Sequence, residues 1–263
     1  MRKRMKLLDK FLKTLRKTAA NHGFTCDVCK AEVFSYPNPR LCGACLSRLD
    51  KNDGFSCPKC GRKTLAEGVC LSCKALPPRF TFACSPFSYE GKTAAILNRV
   101  KNGDRRIAHF FGDSMADEWI ARFKQSASPW KKEETLLLLP VPLTQEKRRE
   151  RGYNQAEELA EAVCARLIEN GYAAEMDVSV LEKRRDTPQQ KHLGFSARAE
   201  NVSGAYHVHK RKACQGKTIV LVDDVMTTGA TGSECAKLLL SAGAKAVWFL
   251  TATSLPESKR SET

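Results

Sequence analysis

The sequence predicts an α/β domain whose parallel sheet is flanked by helices, preceded by a small cysteine-rich module. Three observations carry this reading. Four Cys-x-x-Cys pairs crowd between Cys26 and Cys73, a Pro-Pro step follows at Pro77 and Pro78, and beyond it strand and helix signals alternate. The length of 263 residues suits one good-sized core with a smaller unit attached. The expected division is a basic amphipathic helix at 1–22, the cysteine module at 23–76, the α/β domain at 79–255 and a flexible tail at 256–263.

The α/β reading rests on periodicity. Thr135 to Leu139 is a short buried-strand run, and Asn154 to Glu169 places Ala156, Leu159, Ala160, Val163 and Leu167 on one helical face before Gly171. The pattern repeats with a strand from Thr218 to Val222, a helix from Thr231 to Ser241 closed by Gly243, and a strand from Ala246 to Thr251. Between these lies Lys183 to Arg198, which is charged, glutamine-rich and weakly periodic. It reads as a long mobile loop with a functional role.

Composition narrows the classes. The longest apolar run, Leu136 to Leu143, is short and broken by prolines, so no transmembrane helix is expected. The basic N-terminus lacks the apolar stretch and cleavage site of a secretory signal, which predicts a cytoplasmic protein. The formal charge is +15. Two zinc tetrathiolates would bring it to about +11, still basic enough to favour polyanionic ligands such as nucleic acid or phosphorylated metabolites. In the first 22 residues Arg2, Lys3, Arg4, Lys6, Lys10, Lys13, Arg16 and Lys17 interleave with Met5, Leu7, Leu8, Phe11, Leu12 and Leu15. Such a helix either packs its apolar stripe on the protein or contacts nucleic acid, a partner or a membrane surface.

Eight of the twelve cysteines form the pairs Cys26 and Cys29, Cys42 and Cys45, Cys57 and Cys60, and Cys70 and Cys73. Each pair makes a knuckle, and two knuckles complete a closed tetrahedral site, so two structural zinc ions are expected in preference to an iron–sulfur cluster or redox disulfides. Sequence-order and crossed pairings both satisfy the spacing. Cys57-Pro58-Lys59-Cys60-Gly61 is a strong knuckle, because glycine after the second cysteine lets backbone amides turn toward sulfur. The other cysteines, Cys84, Cys164, Cys214 and Cys235, are isolated and read as buried apolar fillers.

The sharpest chemistry lies in Val220-Leu221-Val222-Asp223-Asp224-Val225-Met226-Thr227-Thr228-Gly229-Ala230-Thr231. A buried strand ends in two acids, and a hydroxyl-rich turn then opens a helix, so backbone amides, threonine hydroxyls and the helix dipole converge on a point that suits a phosphate. The carboxylates suit the neighbouring sugar diol or a magnesium shell. A sugar phosphate satisfies both halves. Independently, Lys147, Arg148, Arg149 and Arg151 crowd the end of a strand, either as a diphosphate-neutralising cluster or as a solvated basic loop.

This segment resembles the ribose-phosphate signature of type I phosphoribosyltransferases, which bind phosphoribosyl pyrophosphate with magnesium. Leu139-Pro140-Val141-Pro142-Leu143, Arg148, Arg151-Gly152-Tyr153-Asn154-Gln155, Arg185-Asp186-Thr187-Pro188-Gln189-Gln190, Arg198, Asn201-Val202 and Ala205-Tyr206 further resemble the ComF family, which also places a zinc module first. Tyr206 departs from the phenylalanine commoner there. The resemblance implies a type I phosphoribosyltransferase-like fold behind a double zinc ribbon. It makes Asp223 and Asp224 the catalytic ribose contacts and Thr227, Thr228, Gly229, Ala230 and Thr231 the 5-phosphate cradle. Val141, Arg148 and Arg151 would face the pyrophosphate, and Arg185 and Gln190 would sit in a loop that closes over the ligand.

Two functions follow from the resemblance. One is transfer of a phosphoribosyl group to an unidentified acceptor. The other is a competence factor for DNA uptake that engages single-stranded DNA, a competence helicase or another DNA-uptake protein. The basic charge and the aromatics Phe24, Phe34, Tyr36 and Phe55 fit base stacking, though the same aromatics also suit packing of the zinc module.

Overall fold

The computed structural model describes residues 25–33, 40–125, 134–186 and 202–257. The expected N-terminal helix and most of the loop expected at 183–198 lie outside the described residues. The chain forms two compact units, one up to Arg48 and one from Leu49 onward.

The smaller unit holds the first two cysteine pairs. The knuckle between Thr25 and Glu32, which bridge as antiparallel partners, is closed by Cys26 N donating to Ala31 O and Lys30 N to Cys26 O. A one-turn helix, α1 (Gly43–Leu46), starts on Cys42.

The larger unit contains a short helix, α2 (Leu71–Ala75), followed by a six-stranded parallel sheet. Its strands are β1 (Phe82–Cys84), β2 (Phe87–Ser88), β3 (Leu136–Pro140), β4 (Ala174–Met176), β7 (Thr218–Met226) and β8 (Ala246–Ser254). The order is β1-β8-β7-β3-β4, with β2 also pairing β8. Between β4 and β7 an antiparallel hairpin, β5 (Leu181–Lys183) with β6 (Tyr206–Val208), stands off the sheet. Every residue of β3 and β8 is buried, as expected for parallel strands covered on both faces.

Side-chain alternation divides the sheet into two faces. On one, Trp248 meets Trp119 of α4 (Arg105–Gln125), with ring centroids 5.4 Å apart, and α6 (Gln155–Glu169) packs beside α4. The other face carries Leu137, Leu139, Ile219, Leu221, Val247 and Phe249. They share one apolar cluster with Cys235, Ala236 and Leu239 of α8 (Ala230–Ser241), with Tyr206 and Val208 of the hairpin, and with Cys57, Cys60, Cys70 and Cys73. The third and fourth cysteine pairs are thus part of the α/β core.

Two expectations are corrected here. The strand expected to stop at Val222 runs on to Met226, because β8 supplies partners beyond the apolar run: Asp223 pairs with Thr251, Val225 with Thr253 and Met226 with Ser254. The two acids therefore lie within a strand. Cys84, Cys214 and Cys235 are buried as expected, but Cys164 is only half-buried.

Two helical glycines mark close approaches. A Cβ on Gly232 of α8 would lie 2.4 Å from Phe249 Cδ1, and one on Gly112 of α4 would lie 2.4 Å from Ala162 Cβ. In an open helix, glycine to alanine gains up to about 1 kcal/mol. At these positions overpacking reverses the sign, so Gly232→Ala and Gly112→Ala are each expected to cost about 1–3 kcal/mol. The check is the urea midpoint, which is predicted to fall; a rise would contradict the packing.

Candidate functional site

The structure brings the cysteines together in sequence order. Cys26, Cys29, Cys42 and Cys45 form one group and Cys57, Cys60, Cys70 and Cys73 another, the sulfurs within each lying within 4.8 Å of one another. Sγ of Cys29 and Cys42, and of Cys60 and Cys70, stand 3.7 Å apart. In the second group Cys70 N donates to Cys57 Sγ at 3.4 Å and Cys73 N to Cys70 Sγ at 3.5 Å, amide contacts that orient sulfur ligands. Four convergent sulfurs per group fit a closed structural zinc site. Gly61 is required twice over: its φ is +68°, and a Cβ there would meet Ala83 O at 2.4 Å.

The two acids sit where β7 leads into α8. Asp224 is buried, its backbone N–H donates to Asp223 Oδ1 at 2.9 Å, and its Oδ2 lies 3.2 Å from Lys101 Nζ at the end of α3 (Gly91–Lys101). Among the described residues, no well-directed hydrogen bond reaches that Oδ2. Burial, and next the charge of Asp224, push the Asp223 carboxyl well above the usual carboxylate range. A carboxylate pair in this state favours anything that supplies hydroxyl donors or positive charge.

The turn behaves as its composition demands. Gly229 adopts φ +81°, which an L side chain resists, and Phe80 lies 3.7 Å from where its Cβ would be. Helix α8 then begins, Thr228 Oγ1 accepting from Ala230 N at 3.3 Å. The first-turn amides of such a helix have no partner within it, and they face the loop with the positive end of its dipole. Thr227 is exposed, and its carbonyl accepts from Arg62 Nη2 at 2.8 Å.

The hairpin borders the same place. Tyr206 is buried beside Thr231, with which its hydroxyl hydrogen-bonds, and burial raises its proton affinity. Lys183 Nζ lies 5.4 Å from the Tyr206 ring centroid. Burial, then the charge of Lys147, lowers the proton affinity of Lys183.

The structure distributes the expected pyrophosphate residues unevenly. Val141 is buried at the end of β3, its N–H donating to Val222 O at 2.9 Å and its carbonyl accepting from Asn154 Nδ2 at 3.0 Å. Thr144 caps α5 (Gln145–Arg151), so the basic residues ride on a helix instead of a loop. Arg148 is held by both carboxylate oxygens of Glu157, with Nη2 2.9 Å from Oε2, and Arg151 donates to Gln155 Oε1 at 3.2 Å. Lys147 instead reaches Asp186, 3.1 Å away, which also accepts from Thr144 Oγ1. Arg185 donates to Ser203 O at 2.6 Å, and Gln190 lies outside the described residues. Sequence reasoning missed Lys101, which no motif marks, and Arg62, whose only signal is a basic residue two positions after a knuckle cysteine.

The phosphoribosyl transferase domain model matches residues 152–262, which include β7, the turn and α8. The chain is 28% identical over 214 residues to the competence protein ComFC of Bacillus subtilis, covering 79% of this chain and 80% of that one. It is 29% identical over 221 residues to the DNA utilization protein YhgH of Escherichia coli, covering 81% and 90%. Among solved structures, glutamine phosphoribosylpyrophosphate amidotransferase from B. subtilis overlaps 58% of this chain at 18% identity and a TM-score of 0.30. The chain spans about a quarter (26%) of that enzyme's length. The chain thus carries a phosphoribosyl transferase domain and is similar over about four fifths of its length to ComFC and YhgH, with two four-cysteine groups suited to structural zinc. Among the described residues no helix is long and apolar enough to cross a membrane.

The state of Asp223 yields a stability prediction. The unfolded chain releases this proton in the ordinary carboxylate range and the folded chain only at higher pH, so the native state loses stability as pH rises through that interval. Asp223→Asn removes the cost. Its thermal midpoint is expected to exceed that of the wild type at pH 8, with little difference at pH 4. A gain confined to low pH would contradict the assignment.

Proposed function

We propose that the β7–α8 site binds phosphoribosyl pyrophosphate with magnesium and transfers its phosphoribosyl group to a nucleophilic acceptor. The observation that carries this reading is the pair Asp223 and Asp224 near the end of β7, with only Val225 and Met226 between them and a glycine-hinged turn at a helix N-terminus. In this reading the amides and hydroxyls of Thr227 to Thr231 hold the 5-phosphate, and the two carboxylates accept from the ribose hydroxyls. Magnesium, when bound, neutralises the diphosphate and the pair of acids. Lys101 holds Asp224 in place before the ligand arrives. Lys147, stationed by Asp186 at the start of α5, is the cation best placed by its contacts to exchange a carboxylate for a phosphate oxygen; Arg148 is committed to Glu157. In the reaction the anomeric C–O bond to pyrophosphate breaks, a bond to the acceptor forms, and the acceptor's proton leaves to solvent or a base. Catalysis then rests on positioning and on stabilising the departing charge.

A second reading is a DNA-handling role without turnover. It is favoured by the names of the two relatives, by the basic charge and by the exposed ring of Phe55. Phe24, Phe34 and Tyr36 lie outside the described residues. In this reading single-stranded DNA and a competence helicase or other uptake protein are the partners, and the site at β7–α8 holds its ligand as a signal.

Calorimetric titration of phosphoribosyl pyrophosphate into the zinc-loaded chain separates the readings. Magnesium-dependent binding is expected in the wild type, with a loss of at least about 100-fold in Asp223→Ala/Asp224→Ala, since each carboxylate accepts charge-assisted hydrogen bonds from the ligand. Absence of binding by the folded wild type would sink the transferase reading. The DNA reading predicts single-strand binding whose affinity falls steeply between low and physiological salt.

A further inference from the structure

The second cysteine cluster does more than close a knuckle, because the residue that follows it reaches the phosphate loop. Arg62 is 6% exposed. Its Nε donates to Cys60 Sγ at 3.3 Å and its Nη2 to the carbonyl of Thr227 at 2.8 Å. One planar guanidinium therefore joins a sulfur of the tetrathiolate to the first residue of the turn that opens α8. Arginine alone offers two such donors in a fixed fork; a lysine ammonium is a single point on a flexible stem.

The knuckle behind Arg62 is itself clamped to the sheet. Lys59 O accepts from Ala83 N of β1 at 2.9 Å. Asn52 Nδ2 donates to Gly61 O at 2.8 Å, to Ser85 O at 3.1 Å and to Ser254 Oγ at 3.2 Å. From the other side, Glu257 N donates to Lys63 O, and its carboxylate accepts from Leu71 N at 2.7 Å. Leu255 N in turn donates to Met226 O, the residue before Thr227. The end of β7 is thus gripped by Arg62 and by the segment leaving β8, and both grips are anchored on the same four cysteines.

We propose that Arg62 is a positioning residue that couples metal occupancy of the Cys57, Cys60, Cys70 and Cys73 site to the conformation of the phosphate loop at Thr227. As a claim about ligand binding it rests on the sugar-phosphate reading above; as a claim about the loop it does not. With the sulfurs gathered on an ion, the guanidinium has a fixed anionic neighbour and holds the Thr227 carbonyl away from the ligand side of the turn. With the sulfurs dispersed, that hold is gone and the turn samples other conformations. Coupling of this kind is reciprocal, so a sugar phosphate seated on the loop also raises the affinity of this site for its ion.

The test is amide hydrogen exchange of the full-length, zinc-loaded chain, read on the segment 226–231, for wild type, Arg62→Gln and Arg62→Lys. Zinc content is measured alongside with a chromophoric chelator. Both variants are expected to retain two zinc ions and to exchange on the order of tenfold faster in that segment, the loss of one charge-assisted hydrogen bond. Cys29→Ser, which removes a ligand of the first cluster, is expected to leave the segment unchanged. Unchanged exchange in zinc-replete Arg62→Gln and Arg62→Lys would overturn the proposal. If either variant loses zinc, the wild type decides through the reciprocal arm: at equilibrium ribose 5-phosphate raises the chelator concentration needed to strip one of the two ions if the coupling holds, and two stripping midpoints that ignore bound ribose 5-phosphate would overturn it. Faster loop exchange in the variants together with no ribose 5-phosphate binding in the wild type would uphold the Arg62 coupling and refute the ligand reading alone.

Discussion

The segment from Asn52 to Leu76 carries few large apolar side chains, and several it has, Phe55, Leu65, Val69, Leu71 and Leu76, are exposed. Hydrophobic burial alone does not fold it. What closes it is the convergence of Cys57, Cys60, Cys70 and Cys73, all four buried. The sheet face bearing Leu221 and Phe249 depends on that closure in turn, because these sulfurs belong to the same apolar cluster as Phe80, Met226 and α8. An ion held by this cluster would contribute its binding free energy as folding free energy for the sheet face it covers. The first cluster lies in the smaller unit.

The site inherits its character from this arrangement. Two neighbouring carboxylates are held near the end of a buried strand, where burial and then the charge of Asp224 raise the cost of ionising Asp223. Folding by itself does not favour such a pair; it persists because the surrounding sheet registers fix it, Asp223 against Thr251 and Val225 against Thr253. Lys101 supplies part of the missing positive charge, and the dipole of α8 supplies positive potential a few residues on. Stability is given up beside the turn that opens α8, a pattern common at functional sites.

Much of this was legible in the sequence because it is local. The four Cys-x-x-Cys pairs declare their chemistry by spacing, and Asp223 to Thr231 is one continuous strand, turn and helix start. The helix from Gln155 to Glu169 was readable from its apolar face and its end signals. What was not legible depends on long-range contacts. Whether sequence-order or crossed pairs share an ion, the partnership of Arg148 with Glu157, and the ion pair of Lys101 with Asp224 all require the fold to bring distant residues together. The run of β7 past Val222 was hidden for a related reason: backbone pairing with β8 outweighs the low strand propensity of two aspartates. The bond from Arg62 to Thr227 spans 165 residues of chain, and no local pattern announces it.

The most direct measurement compares Cys60→Ser with Cys29→Ser in the full-length chain, counting zinc by native mass spectrometry and following thermal unfolding through tryptophan fluorescence, to which Trp119 and Trp248 contribute from the sheet core. Each variant is expected to lose one ion. Cys60→Ser is predicted to lower the tryptophan midpoint by more than about 5 °C, and Cys29→Ser to leave it within about 1 °C of the wild type. Equal shifts in the two variants, or an unchanged midpoint in Cys60→Ser, would contradict the claim that the second cluster is part of the α/β core.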